Sequence, residues 1–293
     1  MKILPVILML SSLLYVPVTG QDIVRLVSTE ICSCIDTAES LGELEMKLDS
    51  CLNVAFENVI SLLDEDQQEM MSDENTIDQT VRGVSENLVF YCPKIREIVL
   101  AEKKKMHYRM SESEKAKEYY EAGVKAHEEK EHRKAEKYYL KAIRADRNWV
   151  YPLDNLGLNY RETGKNKKAI KYYARSLSIY PEGLYALINQ AAAYTYMKDF
   201  EKALRNYTLL AFLYPDNPEG YFGAARVHFL TGNYEEALVY ALYSLKIYTA
   251  LESEYVKDSR ELLSLIREKL KDQGKETLLY EKAKEFGIDL VQN

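Results

Sequence analysis

The chain has 293 residues, 47% of them hydrophobic and 29% charged, with a formal net charge of −7; seven Pro and twelve Gly are few for this length. That balance excludes a disordered chain and disfavours an all-β or collagen-like one. The acidity is confined to one part, since residues 21–110 carry 9 Lys or Arg against 18 Asp or Glu while 111–293 carry 29 against 28; this argues against nucleic acid as a partner, because phosphate binding needs a basic surface.

The chain opens on a pattern of export. Lys2 precedes an uncharged apolar run over 3–18, broken by Pro5 and Pro17, and Val18-Thr19-Gly20 supplies a cleavable junction. Residues 1–20 are expected to be a signal peptide that leaves Gln21 first. The apolar stretch is short for a bilayer, so no stable membrane span is expected after cleavage. The expected location is the periplasm or the medium, with a bacterial envelope favoured.

Residues 21–110 form an acidic helical domain with all four cysteines. Apolar residues three or four apart predict helices over 24–38 and 41–63. The acidic stretch 64–75 breaks the pattern, a third helix starts near Thr76, and Pro93 forces a break before a last one. An even number of cysteines in an exported chain predicts two disulfides among Cys32, Cys34, Cys51 and Cys92 rather than a zinc site. Cys32 and Cys34 point about 200° apart on a helix, so they do not bond each other. Two connectivities remain, and Cys34–Cys51 with Cys32–Cys92 is preferred. Lys103, Lys104 and Lys105 then read as a solvated helix end. Ser111 or Ser113 is positioned to cap the next helix, with Glu114 completing a capping box after Ser111.

From about residue 116 to residue 251 the chain keeps a fixed step of 34 residues. Ala135, Ala169, Ala203 and Ala237 hold it. So do the small residues Gly123, Gly157, Ala191 and Ala225, and the rings Tyr139, Tyr173 and Tyr207. Such a period means a solenoid of stacked helix pairs. Within 150–183, Gly164 ends the first helix, Pro181 ends the second, and Gly157 is small because the two helices cross beside Tyr173.

The pattern Leu153-x2-Leu156-Gly157-x2-Tyr160, then Ala169, Tyr173 and Pro181, resembles the tetratricopeptide repeat. Four such units fit, at 116–149, 150–183, 184–217 and 218–251, with 252–293 as capping helices. The expected fold is therefore all-α: an N-terminal disulfide-bonded helical bundle, then an α-solenoid with a C-terminal helix pair.

The resemblance implies a concave face lined by the first helix of each unit. Tyr120, Tyr151, Asn155, Tyr185, Asn189, Phe222 and Arg226 are expected to meet a partner there, flanked by Val124, Leu158, Ile188, Ala192 and Phe229. The two asparagines suit a peptide backbone and Arg226 suits a carboxylate. The family's clamp for chaperone C-termini needs Lys and Asn where Tyr120 and Val124 stand, so that partner is rejected. The function expected is an exported scaffold or assembly factor holding an unidentified protein or peptide. The alternatives are a peptide- or glycan-binding module, or an enzyme with a site between the two parts.

No catalytic residue and no cofactor is expected. Gly-x-Ser-x-Gly and a glycine-rich phosphate loop are both missing from the sequence. His127 and His132, beside Glu128, Glu129 and Glu131, are spaced wrongly for one helical face. They read as a solvated turn, and no metal is expected.

Overall fold

The computed structural model describes residues 20–288. The expected leader, Gly20 apart, lies outside the described residues. These form fifteen α-helices and no strand, and the chain divides into two compact units between Glu102 and Lys103.

In the first unit, α1 (Gly20–Ile35) buries Ile23, Val27, Ile31 and Ile35 completely. Their fourfold spacing puts one apolar stripe along the helix. α2 (Leu41–Leu62) starts on Ser40, whose hydroxyl accepts the Glu43 N–H, and buries Leu44, Cys51, Ala55 and Val59. The acidic stretch is not simply a break. Asp64 and Gln67 exchange a reciprocal capping box and start the short α3 (Glu65–Met70). The acids themselves supply the cap, a signal that apolar periodicity cannot carry. α4 (Glu74–Tyr91) is capped by Asp73 and buries Thr80, Val84 and Leu88. α5 (Pro93–His107) opens on the proline, at the one helical position where a missing N–H costs nothing.

Cys34 on α1 and Cys51 on α2 form a disulfide with Cα atoms 5.7 Å apart. The second expected bridge is not formed: Cys32 and Cys92 are thiols. They do face each other, and a hydrogen bond between them draws the Cys92 thiol below its ordinary range while pushing that of Cys32 up.

The second unit is a run of paired helices. α6 (Glu114–Glu128) is capped by Ser113, which accepts the Ala116 N–H. Ser111 instead donates to Asp146 Oδ2 at 2.6 Å and accepts the Ser113 N–H, so the capping box expected on Ser111 is not the one used. The chain continues through α7 (His132–Ala145), α8 (Val150–Glu162), α9 (Asn166–Ile179), α10 (Leu184–Tyr196), α11 (Phe200–Leu213), α12 (Pro218–Leu230) and α13 (Tyr234–Ala250). Each of these helices packs on the next. α14 (Val256–Asp272) lays Leu262, Leu263, Ile266 and Leu270 against α13, and α15 (Glu276–Glu285) adds Leu279 and Ala283 to the same core.

The helix pairs interlock through rings seated on glycines. A Cβ on Gly157 would lie 2.6 Å from Tyr173 Cε1, and one on Gly123 would lie 2.6 Å from Tyr139 Cδ1. In the next pair Ala191 stands in the register of those glycines, and Tyr207 presses on Gly223 of the pair after it, where a Cβ would meet it at 2.1 Å. Side-chain amides tie neighbours further, with Asn206 Nδ2 donating to Gln190 Oε1 at 2.8 Å and Gln190 Nε2 to the Ile170 carbonyl at 3.2 Å.

The turns within pairs need a left-handed residue. Gly164 and Gly232 supply it with φ of 72° and 81°, but Lys130 and Lys198 hold the equivalent places with φ of 59° and 61°. A side chain there costs roughly 1–2 kcal/mol, offset in part by glycine's greater freedom when unfolded. Lys198→Gly is expected to stabilise the protein by about 0.5–1 kcal/mol in urea unfolding. An equal loss would show that the lysine side chain contributes more than its backbone strain.

Candidate functional site

The seven residues expected on the first-helix face fall into two groups. Tyr120 on α6 and Tyr151 and Asn155 on α8 come together. Asn155 Nδ2 donates to the Tyr120 hydroxyl at 2.8 Å, and the Tyr120 and Tyr151 rings lie 6.0 Å apart. Trp149 joins them, 4.8 Å from Tyr120 and 6.3 Å from Tyr151. Burial raises the Tyr120 hydroxyl pKa above its ordinary value, with the Asn155 hydrogen bond opposing it.

Farther along, Tyr185 on α10 is 37% exposed. Arg226 on α12 is exposed, with its guanidinium 5.9 Å from the centre of the Phe222 ring. Phe222 stands edge-on to Tyr248 at 6.1 Å. Asn189 departs from the expectation of a free polar group. It is buried, and its Nδ2 donates to the Tyr185 carbonyl one turn back at 2.9 Å.

Sequence reasoning missed the groups that brace this face. Tyr108 follows α5 and donates to Asp154 Oδ2 at 2.6 Å, while its ring meets Tyr151 and Tyr180 edge-on. His107 stacks on Tyr180 at 5.0 Å, Lys103 pairs with Glu182 at 2.5 Å, and Trp149 Nε1 donates to the Arg109 carbonyl at 2.9 Å. One signal was available. Asp154 occupies the 34-residue register of Tyr120, Ile188 and Phe222, so it stands as an acid in an apolar column.

Asp154 is 2% exposed. Burial pushes its carboxyl up to about 6 from an ordinary 3.8, with the nearby Ser176 hydroxyl and the Tyr108 hydrogen bond holding it down in part. Between about pH 4 and 6 the unfolded chain therefore ionises this acid while the folded one keeps the proton. Its contribution to stability falls as pH rises through that window. Asp154→Asn removes the titration but buries an extra amide N–H, which offsets part of the roughly 3 kcal/mol implied by the shift. That offset is the same at every pH, so between about pH 4 and pH 7.5 the variant is expected to gain roughly 3 kcal/mol on the wild type in urea unfolding. A difference that does not change with pH would contradict the assignment.

The turn after α6 also differs from expectation. His127 closes α6 and His132 opens α7, so single-helix spacing is not the relevant test. The two rings meet edge-on at 5.8 Å, and His127 Nε2 lies 3.1 Å from Glu162 Oε2 at the end of α8. The solvated turn is a cluster of three potential ligands.

Comparison with known families identifies one of the helix pairs. Residues 152–182 match the family model for the tetratricopeptide repeat. The chain contains a tetratricopeptide repeat. Its fold is that of a tetratricopeptide-repeat α-solenoid, as in two solved structures of MamA. "MamA 41-end from Desulfovibrio magneticus RS-1" is 14% identical, with a TM-score of 0.51, over 60% of this chain and 96% of that one. "MamA RS-1 ArsTM double mutant" is 12% identical, with a TM-score of 0.51, over 60% of this chain and 95% of that one. At these identities the likeness is one of fold. A comparison with curated proteins finds no match. Among the described residues no helix is long and apolar enough to cross a membrane.

Proposed function

We propose that the tetratricopeptide unit is an exported interaction scaffold that holds a polypeptide along the face of its first helices, and that it binds rather than catalyses. The observation that carries this reading is the state of the face at α10 and α12. Tyr185 remains exposed beside the buried Ala186 and Leu187, and the exposed Arg226 stands over Phe222. Aromatic rings and arginine are the side chains that dominate protein interfaces. The Tyr120, Tyr151 and Asn155 cluster supports the reading differently, because rings already fixed by neighbours lose little freedom on binding. The Cys34–Cys51 disulfide fits an oxidising compartment, which agrees with the expected leader.

The test is affinity capture from envelope extract, comparing wild type with a Tyr185→Ala, Arg226→Ala variant of unchanged helical content. Each side chain is expected to be worth about 2 kcal/mol or more, so the variant loses a wild-type partner by more than a hundredfold in dissociation constant. A partner held equally by both proteins would move the working surface elsewhere. Binding of a sugar ligand in place of a polypeptide would favour a glycan-binding module.

A further inference from the structure

We propose that the turn between α6 and α7 holds a divalent transition-metal ion, zinc foremost, on His127, His132 and Glu162. The three residues come from three helices of the solenoid, and one potential ligand atom from each lies within 4.8 Å of the others. Ligand atoms around a tetrahedral zinc, at about 2.0–2.2 Å from the ion, stand about 3.4 Å apart. The three groups therefore need to close by at most about 1.4 Å. Glu162, whose side chain is 40% exposed, has the freedom to supply that movement.

His132 is already held as a ligand would be. Asn159 Nδ2 donates to the His132 carbonyl at 3.0 Å, which turns Asn159 Oδ1 toward the ring, 2.9 Å from His132 Nδ1. An amide oxygen only accepts, so Nδ1 carries the proton and Nε2 is left with a free lone pair. A second hydrogen-bonded group that fixes the tautomer and aims the ring is the usual support of a metal-binding histidine.

His127 supplies the second nitrogen, its Nε2 already turned to Glu162 Oε2 at 3.1 Å. Two imidazoles and one carboxylate form a donor set suited to zinc and its first-row neighbours. Calcium and magnesium, which prefer all-oxygen sites, are not matched by it. Three protein ligands leave a fourth position for water. A bound ion would join the turn of the first helix pair to α8 of the next.

Titration of the purified protein with Zn2+ against a chromophoric chelator is expected to show one ion bound per chain. Co2+ in its place is expected to give the visible bands of nitrogen and oxygen coordination without thiolate charge-transfer absorption, which separates this site from the Cys32 and Cys92 thiols. Glu162→Gln and His132→Gln, each with unchanged helical content, should weaken binding by tenfold or more and abolish the rise in melting temperature that zinc causes in the wild type. Stoichiometric binding that survives both substitutions would overturn the proposal. So would a wild type that fails to compete with the chelator, or cobalt spectra dominated by thiolate.

Discussion

Replacing Tyr173 by Ala is expected to destabilise the protein by about 3–5 kcal/mol, the cost of removing a large ring from a closed core. Tyr173 is completely buried and fills the space that Gly157 leaves open between α8 and α9. The complementary change, Gly157→Ala, places a methyl carbon 2.6 Å from the ring. A fully buried ring has nowhere to swing, so this variant should lose about 1–3 kcal/mol by overpacking. The two changes answer each other, because the alanine methyl occupies part of the cavity that the missing ring leaves. The double variant is therefore expected to be more stable than the sum of the single losses allows, by about 1 kcal/mol or more. Urea unfolding of the four proteins checks this. Strict additivity would mean that ring and glycine are not a lock, and that 34-residue spacing alone does not identify the contact.

Loss of the Cys34–Cys51 bridge is the second large effect. The disulfide closes a loop of 17 residues in sequence separation, for which the entropy released to the unfolded chain is about 3 kcal/mol. The Cys34→Ala, Cys51→Ala variant should lose that amount, with faster amide hydrogen exchange in α1 and α2. Denatured but unreduced wild type is expected to expose two thiols per chain, those of Cys32 and Cys92. A loss below about 1 kcal/mol would place the stability of the bundle in its apolar stripe instead, where Ile23, Val27, Ile31 and Ile35 are wholly buried.

Much of the fold was legible because repetition reinforces each signal. Gly157, Ala169, Tyr173 and Pro181 each carry a physical role, and the 34-residue step repeats those roles until they stand out. The fold of the N-terminal unit was less legible. Its α3 rests on a cap between Asp64 and Gln67, and its two remaining thiols meet without bonding, a choice that depends on geometry and redox state rather than on cysteine count. The candidate site was the least legible. Periodicity placed Tyr185 and Arg226 on a face, but it did not distinguish Asn155, which bonds a neighbouring ring, from Asn189, which turns back to its own helix. It also missed Tyr108 and Asp154, which meet across 46 residues of sequence. The grouping of His127, His132 and Glu162 was not legible for the same reason, since a test of one helical face is blind to residues contributed by three helices.

Site-specific photocrosslinking distinguishes a working first-helix face from any other surface of the solenoid. A photoreactive side chain is placed at position 185 on α10, at position 226 on α12, or at the exposed Lys171 on α9, and each protein is irradiated in envelope extract. Covalent capture of one polypeptide from positions 185 and 226, and not from 171, is the predicted result. Capture from 171 with none from 185 or 226 would contradict binding along the first helices and assign it to the second.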